Sequence, residues 1–158
     1  MLVIRKKAGD SIARKSTKEA EKVSRIFLDT NILVYVYDLR DPQKQAKAHE
    51  LVRSIIHRRT GVISTQVLQE FASVALTKLR HSVEAVIHEL ILFESLEVVQ
   101  VNPKLIRHGV EHIERYKIHF WDAILLAAAE EAQCDQLYSE DFPDGAVYGK
   151  VRVVNPLV

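Results

Sequence analysis

From residue 25 onward, apolar residues follow two alternating rhythms. Short runs occur at Ile26-Phe27-Leu28, Val62-Ile63, Leu96 to Val101, Gln136-Leu137-Tyr138 and Val151 to Val154. Between them lie longer stretches with apolar residues every three or four positions. The first kind reads as strands and the second as amphipathic helices. Helices are expected over Ile32 to Tyr37, from Asp41 to about Arg59, and from Ser64 or Thr65 to about Leu79. Further helices are expected over Val83 to Phe93, from Asn102 to about Tyr116, and from Asp122 to near Gln133. Asp41-Pro42 and Asn102-Pro103 each join a capping side chain to a proline suited to the first helical turn. Gly61 is expected to end the second helical segment. Strands alternating with helices imply βαβ units, hence an α/β fold with a mostly parallel sheet of about five strands.

Residues 1–24 break this rhythm. They are polar and basic, without a sustained apolar face, and read as an extension to a domain spanning 25–158. Residues 1–25 hold eight Lys/Arg against three Asp/Glu, so +5, while 26–158 hold fourteen against eighteen, so −4. Two readings of the extension stay open: an RNA-binding arm, or coding sequence upstream of a true start near Val23. No apolar stretch is long enough for a membrane span, and no signal peptide is expected. Cys134 is the only cysteine, which excludes an intrachain disulfide and favours a reducing cytoplasm.

The elements give the acidic residues their meaning. Asp29 follows the first strand directly. Asp122 opens a helix, and Asp141 lies just past the fourth strand. In a parallel sheet the carboxyl ends of the strands share one edge, so these residues meet there. Glu70 sits about five residues into its helix, some 7 Å from the helix start at about 1.5 Å per residue. Side chains on a helix lean toward its N-terminus, so the longer Glu reaches back where Asp would fall short. Each has a plainer alternative: Asp122 as a helix cap, Asp141 as a turn residue before Pro143, Glu70 as a solvated face residue. Together, four carboxylates on one edge would repel unless a cation neutralised them. Hard oxygen donors point to Mg²⁺ or Mn²⁺, the equipment of phosphoryl-transfer enzymes, above all nucleases.

With FLDTNILVY at Phe27–Tyr35, the Glu of STQVLQEF, WDAILLAAA at Trp121–Ala129 and LYSEDF at Leu137–Phe142, residues 25–156 resemble PIN domains, most of all the VapC-type toxins of toxin–antitoxin pairs. The resemblance implies a three-layer α/β/α sandwich and Mg²⁺- or Mn²⁺-dependent cleavage of RNA. It assigns Asp29, Glu70, Asp122 and Asp141 to the acidic quartet, with Asn31 and Ser139 as supporting polar positions. It further implies a homodimer and inhibition by a protein antitoxin. The basic extension departs from the family's usual start, and Glu140 beside Asp141 could also approach a metal, although Asp141 fits the motif better. RNA-processing PIN nucleases without an antitoxin, and silent PIN-fold interaction modules, are the alternatives.

Rival constellations are weaker. His108, Glu111 and His112 fit an H-x-x-E-H zinc-protease string, but Gly109 weakens the presenting helix, and the two histidines read as surface residues one turn apart. Phosphatases that use an Asp after the first strand need a second Asp two positions on, where this chain has Asn31. No Gly-rich phosphate cradle occurs. Cys134 reads as packing. Trp121 could stack on a base or serve as a core or dimer-interface residue. Lys78, Arg80, Arg115, Lys117 and His119 are candidate phosphate contacts whose plainer reading is solvated surface.

Overall fold

The structure, a computed structural model, describes residues 23–158. The extension over 1–22 lies outside the described residues. Twelve elements follow in chain order: β1 (Ile26–Leu28), α1 (Thr30–Tyr35), α2 (Pro42–Arg58), β2 (Gly61–Ser64), α3 (Thr65–Thr77), α4 (Val83–Phe93), β3 (Glu97–Val99), α5 (Pro103–Tyr116), α6 (Phe120–Glu131), β4 (Gln136–Tyr138), β5 (Val147–Tyr148) and β6 (Val151–Val154). The sheet has six strands in the order β3-β2-β1-β4-β6-β5. All neighbours are parallel except the β5–β6 pair. Helices and sheet form an α/β/α sandwich.

The sheet owes its position to its apolar strands. Phe27, Leu28, Val62, Ile63, Leu137 and Val153 are all buried, as expected of parallel strands covered on both faces. On one side Phe71, Phe93 and Tyr37 interlock edge to face. On the other, the run Ala123 to Ala129 of α6 is buried throughout, because its many Ala side chains let the helix sit close to its neighbours. Gly109 completes that approach: a Cβ there would lie 2.5 Å from Ile124 Cδ1 and 3.2 Å from its Cα. Its cost to helix propensity is therefore offset by the packing of α5 on α6.

The order in which strands are added reverses at β1, which pairs in parallel with β2 on one side and β4 on the other. Open parallel sheets bind ligands in the crevice beyond the carboxyl ends at such a switch point, and the residue leaving β1 there is Asp29.

Several boundaries differ from expectation for identifiable reasons. The first helix begins at Thr30 rather than Ile32, because Asp29 itself caps it. Gly61 does not end α2. Arg59 does so in a left-handed conformation (φ 55°), and Gly61 instead makes room for Ile55 and Leu96, each of which has an atom 2.5 Å from where its Cβ would be. The last helix of the hairpin starts at Phe120, with His119 at its cap, so Asp122 lies in the first turn and is not the cap. Strand β5, only two residues long, carries no periodicity and was not expected. Ile32, Leu33 and Val36 are buried within the single chain.

Candidate functional site

Three of the four acids, Asp29, Glu70 and Asp141, line the switch-point crevice, and Asp122 lies outside its lining but within reach of the charges of Asp141 and Glu70. Asp29 leaves β1. Glu70 is the sixth residue of α3, whose N-cap is Ser64 at the end of β2. Asp122 comes from the first turn of α6, and Asp141 follows β4 by three residues. Asp29, Asn31, Glu70, Glu140 and Asp141 line one cleft of about 310 Å³, together with Thr30, Tyr35, Arg40 and Lys78.

A polar network holds the carboxylates. Ser139, fully buried, donates its hydroxyl to Asp29 Oδ2 at 2.6 Å and accepts from the Asp141 amide at 3.0 Å. The Thr30 amide donates to Asp29 Oδ1 at 2.6 Å. Asn31 Nδ2 bridges Asp29 Oδ2 (3.3 Å) and Asp141 Oδ2 (3.0 Å). Glu70 receives Thr30 Oγ1 at 3.0 Å and Gln66 Nε2 at 2.8 Å, and Gln66 also donates to the Trp121 carbonyl. The first residue of α1 and one turn of α3 therefore fix the reach of Glu70.

Electrostatics set this crevice apart. Asp29 is only 6% exposed. Burial is the main force pushing its pKa up to about 7. The Ser139 and Thr30 hydrogen bonds oppose that rise, and the charges of Asp141 and Glu70 add to it. Asp122 is raised too, by burial first and then by Asp141 and Glu70, with His119 easing it. Among the described residues, none of the four acids forms an ion pair with Lys or Arg. The nearest cations are committed elsewhere or free at the rim: Arg40 pairs with Asp38, and Lys44 with Glu140.

That last pair separates Glu140 from Asp141. Glu140 accepts from Tyr35 Oη at 2.6 Å and Lys44 Nζ at 2.8 Å, so its charge is already matched. Asp141 has no ion-pair partner among the described residues and accepts from Asn31. The donor set at the crevice is all oxygen, its charge is unbalanced, and Asn31 Oδ1 is buried without a hydrogen-bond partner. These features fit a hard divalent cation.

Sequence reasoning missed Thr30, Gln66, Tyr35 and Lys44. Gln66 was open to discovery, because it precedes Glu70 by four positions on one helix and such residues are neighbours. Lys44 and Tyr35 meet Glu140 only through the fold. Of the basic candidates, Lys78 lines the cleft and His119 lies near Asp122, whereas Arg115 rests over the Tyr116 ring beside a different pocket. Trp121 is 64% exposed, which removes the core reading. Cys134 is buried, and burial pushes its thiol up to about 12, so it is an inert packing residue.

A PIN domain family model matches residues 26–142. This chain belongs to the PIN domain family. Its fold is shared with VapC toxins of known structure. Against the sarcin-ricin loop cleaving toxin VapC20 of Mycobacterium tuberculosis the TM-score is 0.62 at 21% identity, over 80% of this chain and 98% of that one. A toxin–antitoxin complex from Klebsiella pneumoniae gives 0.63 at 22% identity, over 84% and 98%. VapBC2 of Rickettsia felis, bound to a DNA fragment from its promoter, gives 0.58 at 19%, over 81% and 96%. At these identities the likeness is one of fold. Comparison with curated protein sequences finds no match. PIN domains are nucleases that generally use divalent metal ions, and the crevice described above lies within the matched segment.

Proposed function

We propose that this chain is a Mg²⁺- or Mn²⁺-dependent endoribonuclease, the toxin of a toxin–antitoxin pair. The observation that carries the reading is the cleft shared by Asp29, Glu70 and Asp141, with Asp122 near enough for the charges of Asp141 and Glu70 to act on it, and no basic ion-pair partner for any of the four among the described residues. Asp29, Asp122 and Asp141 would hold the ion, with Glu70 as a further ligand or water-positioning group. When bound, such an ion polarises a phosphate oxygen and makes water a better nucleophile at neutral pH.

The chain's own residues do the rest. Ser139 and the Thr30 amide hold Asp29 in one rotamer, and Asn31 fixes Asp141 relative to it, so both are oriented before any ligand arrives. Thr30 and Gln66 leave Glu70 with oxygens directed to the crevice, placed to accept a proton from attacking water. Lys78 at the cleft wall offers a contact to a phosphate. Attack by water rather than by the ribose 2′-hydroxyl leaves 5′-phosphate and 3′-hydroxyl ends.

The toxin assignment rests on the VapC likeness and on relatives solved as toxin–antitoxin complexes. A protein antitoxin and a second copy of the chain are the proposed partners, and the cytoplasm is the proposed place of action. Val83, Ile87 and Ile91 are exposed at four-residue spacing along α4, apolar surface that suits a protein partner. No helix among the described residues is long and apolar enough to cross a membrane.

The test is cleavage of a defined RNA by purified protein with Mg²⁺, Mn²⁺ or a chelator. Divalent-dependent cuts bearing 5′-phosphates are expected. Cleavage that persists in chelator, or products ending in a 2′,3′-cyclic phosphate, would overturn the mechanism.

A further inference from the structure

The H-x-x-E-H string of α5 is not a protease motif, but it does not leave two surface histidines either. His112 is buried, 2% exposed, contrary to the surface reading. Its Nε2 lies 2.7 Å from Glu130 Oε2 on α6. His108, one turn earlier and half-exposed, points its Nε2 at the same oxygen from 3.5 Å. The two rings are 4.4 Å apart, centroid to centroid. One ligand atom from each of His108, His112 and Glu130 falls within a sphere where all mutual distances are under 4.8 Å. Glu111, the acid of the string itself, is exposed and belongs to no such cluster.

We infer that His108, His112 and Glu130 form a second metal site, for a borderline divalent transition ion of the Zn²⁺ class, which clips α5 to α6. Two imidazoles and one carboxylate form a ligand set that zinc accepts with an open fourth position. Ligand atoms about 2.1 Å from a tetrahedral ion stand about 3.4 Å apart. The His108–Glu130 separation of 3.5 Å already matches this, the His112–Glu130 separation of 2.7 Å needs to open by about 0.7 Å, and the two imidazole ligand atoms lie within 4.8 Å of each other. The supporting structure holds the set in place. Gly109, between the histidines, lets α6 approach closely through Ile124. The His112 ring packs at a tilt of 50° against Tyr116, which in turn meets Tyr148 edge to face, so its orientation is fixed by packing. Gly149, at φ +59°, leaves space beside Glu130 Oε1, where a Cβ would come within 3.0 Å. His108 keeps one side of the site open to solvent for entry.

This site is separate from the acidic crevice. Glu130 lies eight residues after Asp122 on α6, about 12 Å along the helix at 1.5 Å per residue. Its donors also select differently, because imidazole favours Zn²⁺ over Mg²⁺. One feature limits its strength. His112 Nδ1 is buried with no hydrogen-bond partner among the described residues, and the outer partner of a ligating histidine is worth roughly 10- to 100-fold in affinity. The site should therefore bind Zn²⁺ more weakly, by about that factor, than a fully supported one.

The experiment titrates metal-stripped protein with Zn²⁺ against a chromophoric chelator, in the Asp29→Asn/Asp122→Asn background that removes most of the acidic crevice's charge. One equivalent of Zn²⁺ should still bind and raise the melting temperature, by mass action on the folded state. Co²⁺ should give the visible absorption of a low-coordinate nitrogen-ligated ion. His108→Ala and Glu130→Gln, both at solvent-accessible positions where folding is readily checked by circular dichroism, should each weaken binding by roughly 100-fold or more, beyond the loss of an outer partner. The proposal is overturned if the double variant binds no Zn²⁺, or if His108→Ala folds and binds with unchanged affinity.

Discussion

Helix α6 carries a carboxylate cluster near each end, and the two are built by opposite rules. Near its start, Asp122 joins Asp29, Glu70 and Asp141, acids with like charge, oxygen donors only, and no basic ion-pair partner among the described residues. Near its end, Glu130 faces two imidazoles and carries a single charge. The first cluster is well supported but electrostatically unbalanced. Ser139, Asn31, Thr30 and Gln66 all donate to its acids. The second holds one carboxylate with no like-charged partner in the cluster but is thinly supported, His112 Nδ1 having no hydrogen-bond partner among the described residues. Like charges brought together at a cost to stability imply a ligand that repays it. A compact His/Glu cluster can persist without one, so its ligand should add to stability without being required for folding.

The sharpest way to break this contrast is to remove charge from the crevice. Asp29→Asn and Asp122→Asn should each lower RNA cleavage by about 100-fold or more, since charge stabilisation by a catalytic ion is worth several kcal/mol. Both should stay folded by circular dichroism. Wild-type rates in either purified variant would show that the crevice is not where RNA is cut.

The same substitution separates charge from structure through pH. The Asp29 pKa, about 7, is above its ordinary value near 3.8, so the folded chain holds a proton that the unfolded chain has already released. That contribution to stability is complete below the unfolded pKa and is lost as pH rises through about 7. In chelator, Asp29→Asn should gain on wild type progressively as pH rises from about 4 to about 7. It should melt higher than wild type near pH 8, with a difference of the order of a few kcal/mol. A melting difference that stays flat across this range would mean that Asp29 is not held in a charge-repelling, desolvated position.

The two ends were unequally legible in the sequence, for a physical reason. Every acid of the crevice sits at a strand exit, in the early part of a helix, or just past a strand. A parallel sheet delivers those positions to one edge whatever its detailed packing, so Asp29, Glu70, Asp122 and Asp141 could be grouped from chain order alone. The choice between Asp141 and Glu140 could not, because it depends on Lys44 and Tyr35 reaching across from α2 and α1. The His cluster was half-visible. A spacing of four put His108 and His112 on one face, but Glu130 joins them only through the crossing of α5 and α6. No local pattern encodes that crossing except Gly109, which reads as a weakness of the helix until Ile124 is seen beneath it. β5 was missed because two residues carry no period.

Gly109 therefore offers a way to disturb the second end while sparing the first. Gly109→Ala gains helix propensity, about 1 kcal/mol in isolation. The new methyl would meet Ile124 Cδ1 at 2.5 Å and backbone atoms at 3.2 and 3.3 Å. The side chain can rotate away, but the backbone can yield only by shifting the helix, and overpacking of this kind costs roughly 1 to 3 kcal/mol. A net loss of stability is expected by thermal melting, together with weaker Zn²⁺ binding. A Gly109→Ala protein more stable than wild type would mean that the α5–α6 contact is looser than drawn here.

The smallest effect expected is the most informative about the crevice itself. Glu70→Asp preserves charge and removes one methylene. The carboxylate of Glu70 comes from the sixth residue of α3, and Thr30 Oγ1 and Gln66 Nε2 hold one oxygen each, at 3.0 and 2.8 Å. Shortening the side chain by about 1.5 Å, one carbon–carbon bond, breaks both contacts or draws the group back from the crevice. A displacement of about 1 Å at a reacting centre can cost up to roughly 100-fold. Here the group is one of four and not the innermost, so a loss of about tenfold is expected, read as single-turnover cleavage rates at saturating Mg²⁺. Thr30→Val should reproduce part of that loss, because it frees one Glu70 oxygen while keeping the side chain's shape. Full activity in Glu70→Asp would place Glu70 outside the chemistry and reduce the crevice to three working carboxylates. Activity lost in Glu70→Asp but intact in Thr30→Val would keep Glu70 in the site and leave Gln66 as the residue that sets its position.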